Sequence, residues 1–250
     1  MVKILFTKNK ISKKDLISVG YSQNDSACIK ITESTNNIAK QLCAKDPEDF
    51  TVIIAERQTG GRGRSGKSFF SANGGIYMSV IVSENENVPY TVCAASATCK
   101  AINECGIDAK IKWVNDIFVN GKKVCGILCE KVQTANGNKV VIGIGINHSV
   151  KDFPAELQDI AASLPKCKTT KRELTLSVLK HLKDSLSDHE EAVRYYTEKM
   201  LITGKKIVAE YNNSQIRGKA LGVDGKGSLI IEADSGERMT ISSGMIFLKE

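Results

Sequence analysis

Several features are scarce in this sequence of 250 residues, and each absence excludes a class of protein. The eight cysteines include no C-x-x-C pair and lie mostly in apolar segments, which argues against a zinc site or a disulfide framework. Free thiols in a reducing cytoplasm are the better interpretation, for Cys167 as for the others. There is no apolar run of about 18 residues to span a membrane, and the apolar stretch 1–6 is too short for a signal peptide.

Aromatic residues are also few, with a single tryptophan, so the stacking surfaces typical of nucleic-acid-binding modules are not expected. Residues 1–28 are too few for a helix-turn-helix domain with its linker. We therefore expect this chain to carry no DNA-binding domain and DNA binding to be unlikely. The three histidines show neither triad nor metal spacing. The formal net charge is +7, which fits either simple solubility or attraction to anionic ligands or an acidic partner.

What the sequence does contain is one stretch, 56–68, in which glycines alternate with basic residues (ERQTGGRGRSGKS). Glycines allow sharp turns and close backbone approach to a ligand, and arginines match carboxylates and phosphates bidentately. The stretch therefore predicts an anion-binding loop. Its letters fit a P-loop, a dinucleotide fingerprint and a third, arginine-rich pattern.

The context of this loop argues against the first two patterns. A P-loop and a dinucleotide fingerprint both need a helix directly after the loop, and FFSANGG at 69–75 is a poor helix. No acidic residue ends a second parallel strand, as a dinucleotide site requires. A P-loop nucleotide-binding protein is the less favoured alternative.

The alternation of segments predicts an α+β protein with a mixed, mainly antiparallel sheet and helices on one side. Asn120-Gly121 and Asn136-Gly137 mark hairpins of an antiparallel meander, and Thr170 to Glu173 form a capping box that begins an amphipathic helix. Gly204 marks a boundary between a domain over 1–203 and a small β-barrel over 204–250. Val140–Ile146 could pair across a two-fold axis in a homodimer if it were a flat edge strand.

Five motifs occur in a fixed order: ESTN at 33–36, QTGGRGRSG at 58–66, KWVND at 112–116, GKKVCGILCE at 121–130 and GIGIN at 143–147. Together they resemble the biotin protein ligase family, closely over residues 29–150. The family usually has proline where this chain has Val114, and often tryptophan where it has Phe69 or Phe70. The resemblance implies a class II synthetase-like fold followed by an SH3-like barrel.

The resemblance also implies the chemistry of a ligase that forms an amide bond. Biotin and ATP, with Mg²⁺, form biotinyl-5′-AMP, and the acyl group then moves to a lysine of a biotin carboxyl carrier domain. A lipoate ligase or another acyl-protein ligase of the same fold is the alternative. Because carboxylate and α-phosphate are both anionic, positive side chains must hold them together.

The roles of individual residues follow from their match to the family motifs. Lys123 and Arg62 are the expected catalytic residues, and Asp116 is the candidate metal ligand. The expected biotin-binding residues are Ser34, Thr35, Asn36, Gln58, Gly61, Arg62, Arg64, Lys123, Gly126, Leu128 and Gly143. The expected ATP- and adenylate-binding residues are Arg62, Arg64, Lys67, Lys112, Asn115, Asp116 and Asn147.

Three local alternatives remain open at this point. Ser34 or Thr35 could simply cap a helix, and Gly143 could serve only close strand packing. Strict alternation places Lys123 on the opposite strand face from Gly126, so a shared ligand requires a bulge or a later strand start. The glycine content and lack of apolar anchors in 58–70 predict a lid that closes over the adenylate.

Overall fold

The computed structural model describes residues 11–166, 168–212 and 214–248; the apolar stretch 1–6 and Cys167 discussed above lie outside these ranges. Its helices are α1 (Lys13–Ser18), α2 (Thr35–Cys43), α3 (Tyr90–Glu104), α4 (Lys171–Ser187) and α5 (His189–Lys199). The seven strands that precede α4 are β1 (Ala27–Thr32), β2 (Thr51–Gln58), β3 (Ile76–Ser83), β4 (Lys110–Lys112), β5 (Asp116–Val119), β6 (Lys122–Thr134) and β7 (Gly137–Ile146).

These seven strands form one mixed sheet in the order β1-β2-β3-β7-β6-β5-β4. Only β1 and β2 pair in parallel, and the other neighbours are antiparallel, so the predicted α+β fold with a mainly antiparallel sheet is confirmed. The strand Val140–Ile146 lies within β7, between β3 and β6. The suggestion that it could be a dimer edge is therefore wrong, because both sides of its backbone already pair within the chain.

The two faces of the sheet are covered differently. Alternate residues such as Met78, Val80 and Ile142 point into the main core with α3, α4 and α5, so these three helices share one side of the sheet. On the opposite face, α2 packs Ala39 and Cys43 into a smaller cluster. Helix α2 covers only part of this second face, and the part left open carries the candidate site.

Helix ends form where the sequence predicts them. Ser34 caps α2, with its hydroxyl accepting from the Asn37 amide, and Thr170 and Glu173 form the capping box of α4. The cap interpretation of Ser34 is thus correct. It does not compete with a ligand role, because a helix N-terminus presents further amide donors.

A second sheet of five antiparallel strands follows α5. It comprises β8 (Lys206–Tyr211), β9 (Ser214–Val223), β10 (Leu229–Ala233), β11 (Arg238–Ile241) and β12 (Met245–Leu248), in the order β11-β10-β9-β8-β12. The Trp113 indole donates to the Gly227 carbonyl at 3.1 Å, and apolar residues of this sheet join the main core. The domain boundary at 203/204 stays a prediction. Within the described residues, no helix is long and apolar enough to cross a membrane.

Candidate active site

A bulge in β6 brings the predicted lysine to the open face of the sheet. Opposite β5, Ile117 pairs with Cys125 while Phe118 pairs with Lys123, so Val124 is an extra residue. This bulge turns Lys123 to the same face as Gly126, whose position for an added Cβ lies 3.2 Å from the Lys123 Nζ. The conflict with strict alternation is therefore removed by the first of the two alternatives.

The predicted phosphate-binding residues line a single cleft of about 1230 Å³. Its lining includes Arg62, Arg64, Lys67, Lys112, Asn115, Asp116, Lys123 and Asn147, together with residues of the second sheet such as Tyr211 and Gln215. Five of these named side chains are cationic at neutral pH. Arg62 and Arg64 are exposed, with guanidinium contacts to Asn37 at 3.2 Å and Asn115 at 3.3 Å. Such weakly held arginines are free to rearrange onto an anion.

Two buried oxygens at this cleft receive no aligned hydrogen bond from the described residues. Asp116 Oδ1 contacts Lys123 Nζ at 2.7 Å as an ion pair, without the alignment of a hydrogen bond. Asn147 is buried, and its Oδ1 accepts no hydrogen bond from the described residues. A buried carbonyl oxygen without a donor is costly, so Asn147 is well placed to receive a ligand group.

Asn115 also has a structural task. Its side-chain amide donates to the Ile127 carbonyl at 2.8 Å, and its own carbonyl accepts from the Ile127 amide at 2.9 Å. The turn that follows β4 is thus fastened to β6, while the Asn115 side-chain oxygen still faces Arg64.

The predicted biotin-binding residues surround a separate, small pocket of about 30 Å³. It is lined by Ser34, Thr35, Asn36, Gln58, Arg62, Phe69, Met78, Gly126, Leu128, Gly143, Ile144 and Gly145. Arg64 and Lys123, which were expected to contact biotin as well, line the cleft rather than this pocket. The two cavities share Arg62, Phe69 and Gly126.

A continuous set of hydrogen bonds forms the polar end of the pocket. Thr35 donates to Gln58 Oε1 through its amide at 2.7 Å, and Gln58 Nε2 donates to Ser71 Oγ at 2.9 Å. The Ser79 hydroxyl, fully buried on β3, lies 2.7 Å from Thr35 Oγ1 and 2.6 Å from Asn36 Oδ1. These groups hold one another in place before any ligand arrives.

The glycines of the pocket admit other side chains. A Cβ on Gly143 would collide with the Asn36 amide, and one on Gly145 would lie 2.7 Å from the Phe69 ring. Gly61 lies beside the pocket rather than in its lining, since a Cβ there would collide with Ser71 Oγ and the Phe69 carbonyl. Close packing is thus a real role of Gly143, but the group that packs there is itself a pocket residue.

Phe69, Ser79, Glu130 and Gly145 are among the residues in or beside the pocket that were not predicted. Glu130 and Gly145 could have been found by alternation, because they share a strand face with Leu128 and Gly143. Ser79 is a serine in the middle of the apolar run of β3, which is an available signal for a buried polar contact. The family motif draws attention to an aromatic residue at Phe69 or Phe70, but the place of the Phe69 ring depends on the path of its loop.

The basic loop forms a hairpin rather than a P-loop. Arg62 pairs with Ser68, the Gly63 amide donates to the Lys67 carbonyl at 2.7 Å, and a 3-10 turn spans Arg64–Gly66. β3 is the next element after this turn, so the helix that a P-loop needs is absent here. Contrary to the expected lack of apolar anchors in 58–70, the Phe69 ring lies on Tyr77 and Phe70 on Phe153.

Comparisons with known proteins agree with this arrangement. A model of the biotin/lipoate A/B protein ligase family matches residues 28–147, and one of the biotin protein ligase C-terminal domain matches residues 202–249. The bifunctional ligase/repressor BirA of Bacillus subtilis is 34% identical, over 85% of this chain and 71% of that protein. The biotin–[acetyl-CoA-carboxylase] ligase of Mycobacterium tuberculosis is 26% identical, over 93% of this chain and 92% of that protein.

Among solved structures, the biotin protein ligase from Aquifex aeolicus in complex with biotin and ATP superposes with a TM-score of 0.76. It is 28% identical in sequence, and the match covers 90% of this chain and 99% of that one. The two family models together span most of the chain, and the Bacillus subtilis relative exceeds 30% identity over most of both proteins. The chain belongs to the biotin protein ligase family.

Proposed function

We propose that this protein is an ATP-dependent biotin protein ligase that makes biotinyl-5′-AMP and transfers biotin to a lysine. The observation that carries the proposal is the junction of the two cavities. A small pocket with one polar end adjoins, at Arg62, Phe69 and Gly126, a cleft lined by cationic side chains. An acid whose ring fills the pocket would place its carboxylate at the start of the cleft, beside the cations that would hold a triphosphate.

In the first half-reaction, a carboxylate oxygen of biotin attacks the α-phosphorus of ATP. A new P–O bond forms, the bond to the β-phosphate oxygen breaks, and pyrophosphate leaves. Lys123 and Arg62 neutralise the two approaching anions, and Arg64, Lys67 and Lys112 hold the phosphates. Fixed charges in a cleft accelerate this step through positioning and electrostatic stabilisation, without a covalent enzyme intermediate.

In the second half-reaction, a neutral lysine amine of the carrier domain attacks the acyl carbon of the adenylate. An amide C–N bond forms, the C–O bond to AMP breaks, and the amine proton passes to solvent. The same cations stabilise the charge on the leaving phosphate. Gln58, Ser34 and Thr35 hold the ring during both steps, so the acyl carbon stays at the junction of the cavities.

A magnesium ion fits the oxygens of the cleft. Mg²⁺ is usually held by one or two carboxylates together with substrate phosphates and water. Asp116 supplies a carboxylate beside the predicted phosphate site, and Asn147, whose buried oxygen has no donor among the described residues, lines the same cleft. The described residues contain no cluster of three acidic, histidine or cysteine ligands, so phosphates must complete the shell. Bound there, the ion would neutralise phosphate charge.

The pocket must enlarge before biotin enters. Its volume of about 30 Å³ is far below the roughly 150 Å³ of a cavity that admits a single benzene ring. The Phe69 ring lies over Gly126 and Gly145 and 5.7 Å from Lys123 Nζ, so it occupies the missing space. We infer that the hairpin 61–69 moves Phe69 outward and then closes over the adenylate.

The proposed acceptor is a biotin carboxyl carrier domain in the cytoplasm. Cys93 and Cys99 form no disulfide, as suits a reducing compartment, and burial raises the pKa of both thiols to about 12. Incubation of such a carrier domain with the protein, biotin and MgATP should add one biotin, as seen by mass spectrometry. Labelling with lipoate instead of biotin, or with neither, would contradict the proposal.

A further inference from the structure

Glu130 lies just beyond the lining of the small pocket and holds one of its residues. It follows Gly126 and Leu128 on the same face of β6. Its Oε2 accepts from Asn36 Nδ2 at 2.8 Å, and its Oε1 pairs with Lys40 Nζ at 2.7 Å. Asn36 and Lys40 both belong to α2, so one carboxylate joins the start of this helix to the sheet.

The hydrogen bonds of the Asn36 side chain leave only one of its hydrogen-bonding positions unused. A side-chain amide carries two N–H donors and an oxygen with two lone pairs. One donor goes to Glu130 and the other points to the Leu128 carbonyl at 3.3 Å. The oxygen accepts from Ser79 at 2.6 Å. One lone pair of Asn36 Oδ1 remains, and Asn36 lines the pocket.

We propose that Glu130 is a positioning residue that locks the Asn36 amide in this orientation and thereby selects acids whose ring carries N–H donors. The inference rests on the proposed function, since the cyclic urea of biotin carries two such donors. A dithiolane ring carries none. With the amide reversed, the Asn36 oxygen would face the Glu130 carboxylate and its N–H groups would face the pocket, so the preference would be lost.

The Glu130 carboxylate is held in its charged form, which maintains its hydrogen bond from Asn36. Burial by itself raises the pKa of Glu130, but the hydrogen bonds from Lys40 and Asn36 outweigh this effect and leave the pKa below its ordinary value. Glu130 therefore stays anionic at neutral pH and acts as an acceptor without a donor. The absence of a side chain at Gly143 lets the locked amide lie against β7.

The test compares Glu130→Ala with a matched control, Glu84→Ala. Glu84 has the same kind of contacts away from the pocket, pairing with Lys131 at 2.8 Å and accepting from the Asn138 amide at 2.8 Å. The ligands are biotin and two analogues in which one urea N–H at a time is replaced by a ring oxygen. Dissociation constants are measured by calorimetry on the full chain.

The unaltered protein and Glu84→Ala should bind biotin with the same affinity. Both should bind at least one analogue about 10- to 100-fold more weakly, because the buried Asn36 oxygen then faces the ring oxygen of the analogue. In Glu130→Ala, biotin should bind about tenfold more weakly, and the preference over that analogue should fall to within about threefold. If Glu130→Ala kept the full preference for biotin over that analogue, the inference would be overturned and the proposed function would stand. Failure of the unaltered protein to bind biotin would instead overturn the proposed function.

Discussion

Lys123 lies in the candidate site because β6 contains one extra residue, which forms a bulge opposite β5. Without Val124 as the bulged residue, its side chain would point to the helical face, away from Asp116 and Gly126. The backbone here is also held from a third side, since the Lys123 amide donates to the Ile160 carbonyl at 2.9 Å and its carbonyl accepts from Ala162. The bulge is thus built into the fold around it.

Replacement of Lys123 by alanine should reduce the rate of biotin-dependent pyrophosphate release by about 10²–10³, since it removes a fixed charge from the reacting anions. The melting temperature should stay within a few degrees of that of the unaltered protein. Lys122→Ala is the control, because Lys122 donates to the Gln158 carbonyl outside the cleft. Undiminished pyrophosphate release by Lys123→Ala would exclude the catalytic role.

Gly143→Ala tests whether the pocket depends on close approach. The new methyl group would collide with an Asn36 amide that Glu130 and Ser79 hold in place. We expect biotin affinity to fall about tenfold and the free energy of unfolding by about 1–3 kcal/mol, the usual range for overpacking. Gly225→Ala, where an added methyl meets open space, should change neither quantity. Equal biotin binding by both variants would show that the amide yields easily.

At the scale of elements, the basic loop is rich in glycine and exposed charge, but its end is anchored by Phe69. Its hairpin contacts are short-range, and Arg62, Arg64 and Lys67 are exposed. Phe69, by contrast, is held by Tyr77, with ring centroids 6.4 Å apart. The loop can therefore open only if this aromatic contact breaks, which couples lid movement to the contents of the pocket.

Trypsin should cut the empty protein within this loop and cut it at least about tenfold more slowly with biotin and ATP, because ligands stabilise the closed form. Cleavage after Lys151, in an exposed segment outside the loop, serves as the internal control. Fragments identified by mass spectrometry assign each cut. If loop cleavage kept the same rate with both ligands present, the lid would be refuted.

At the scale of the whole molecule, α1 is fastened to α4 far from the candidate site. Arg172 makes a two-pronged contact with Asp15, which also caps α1 through Ser12. This contact with Arg172 is the main cause that lowers the pKa of Asp15 to about 2. A lowered pKa in the folded state means that the pair stabilises the protein above the unfolded pKa of about 4 and ceases to do so as the pH falls towards 2.

The variant Asp15→Asn keeps the shape of the cap and removes the charge. It should melt about 2–4 °C lower than the unaltered protein between pH 7 and 5, a modest shift because Arg172 is partly exposed. The difference should shrink as the pH falls below about 4. Asp159→Asn, at an exposed position, is the control. A difference that stayed constant down to pH 3 would contradict the assigned cause.

Much of this architecture follows from local sequence signals. Asn-Gly turns, the capping box at Thr170 and the apolar runs of β2, β3 and β7 act over a few residues, so their outcome is readable in the sequence. The same holds for the list of anion-binding residues in the basic loop and in KWVND. Local signals could not predict on which face of the sheet each helix lies. The position of α2 depends on its packing against the second face, which the other helices leave uncovered.

The amino-acid sequence by itself determined the class of fold, the family and which charged and hydroxyl side chains were available for chemistry. These properties depend on residue type and spacing along the chain. Only the tertiary structure decided that Lys123 shares a face with Gly126, that Phe69 fills the small pocket, and that Glu130 orients Asn36. The first depends on a one-residue bulge in a hairpin, the second on the path of a loop, and the third on a hydrogen bond between residues 94 positions apart.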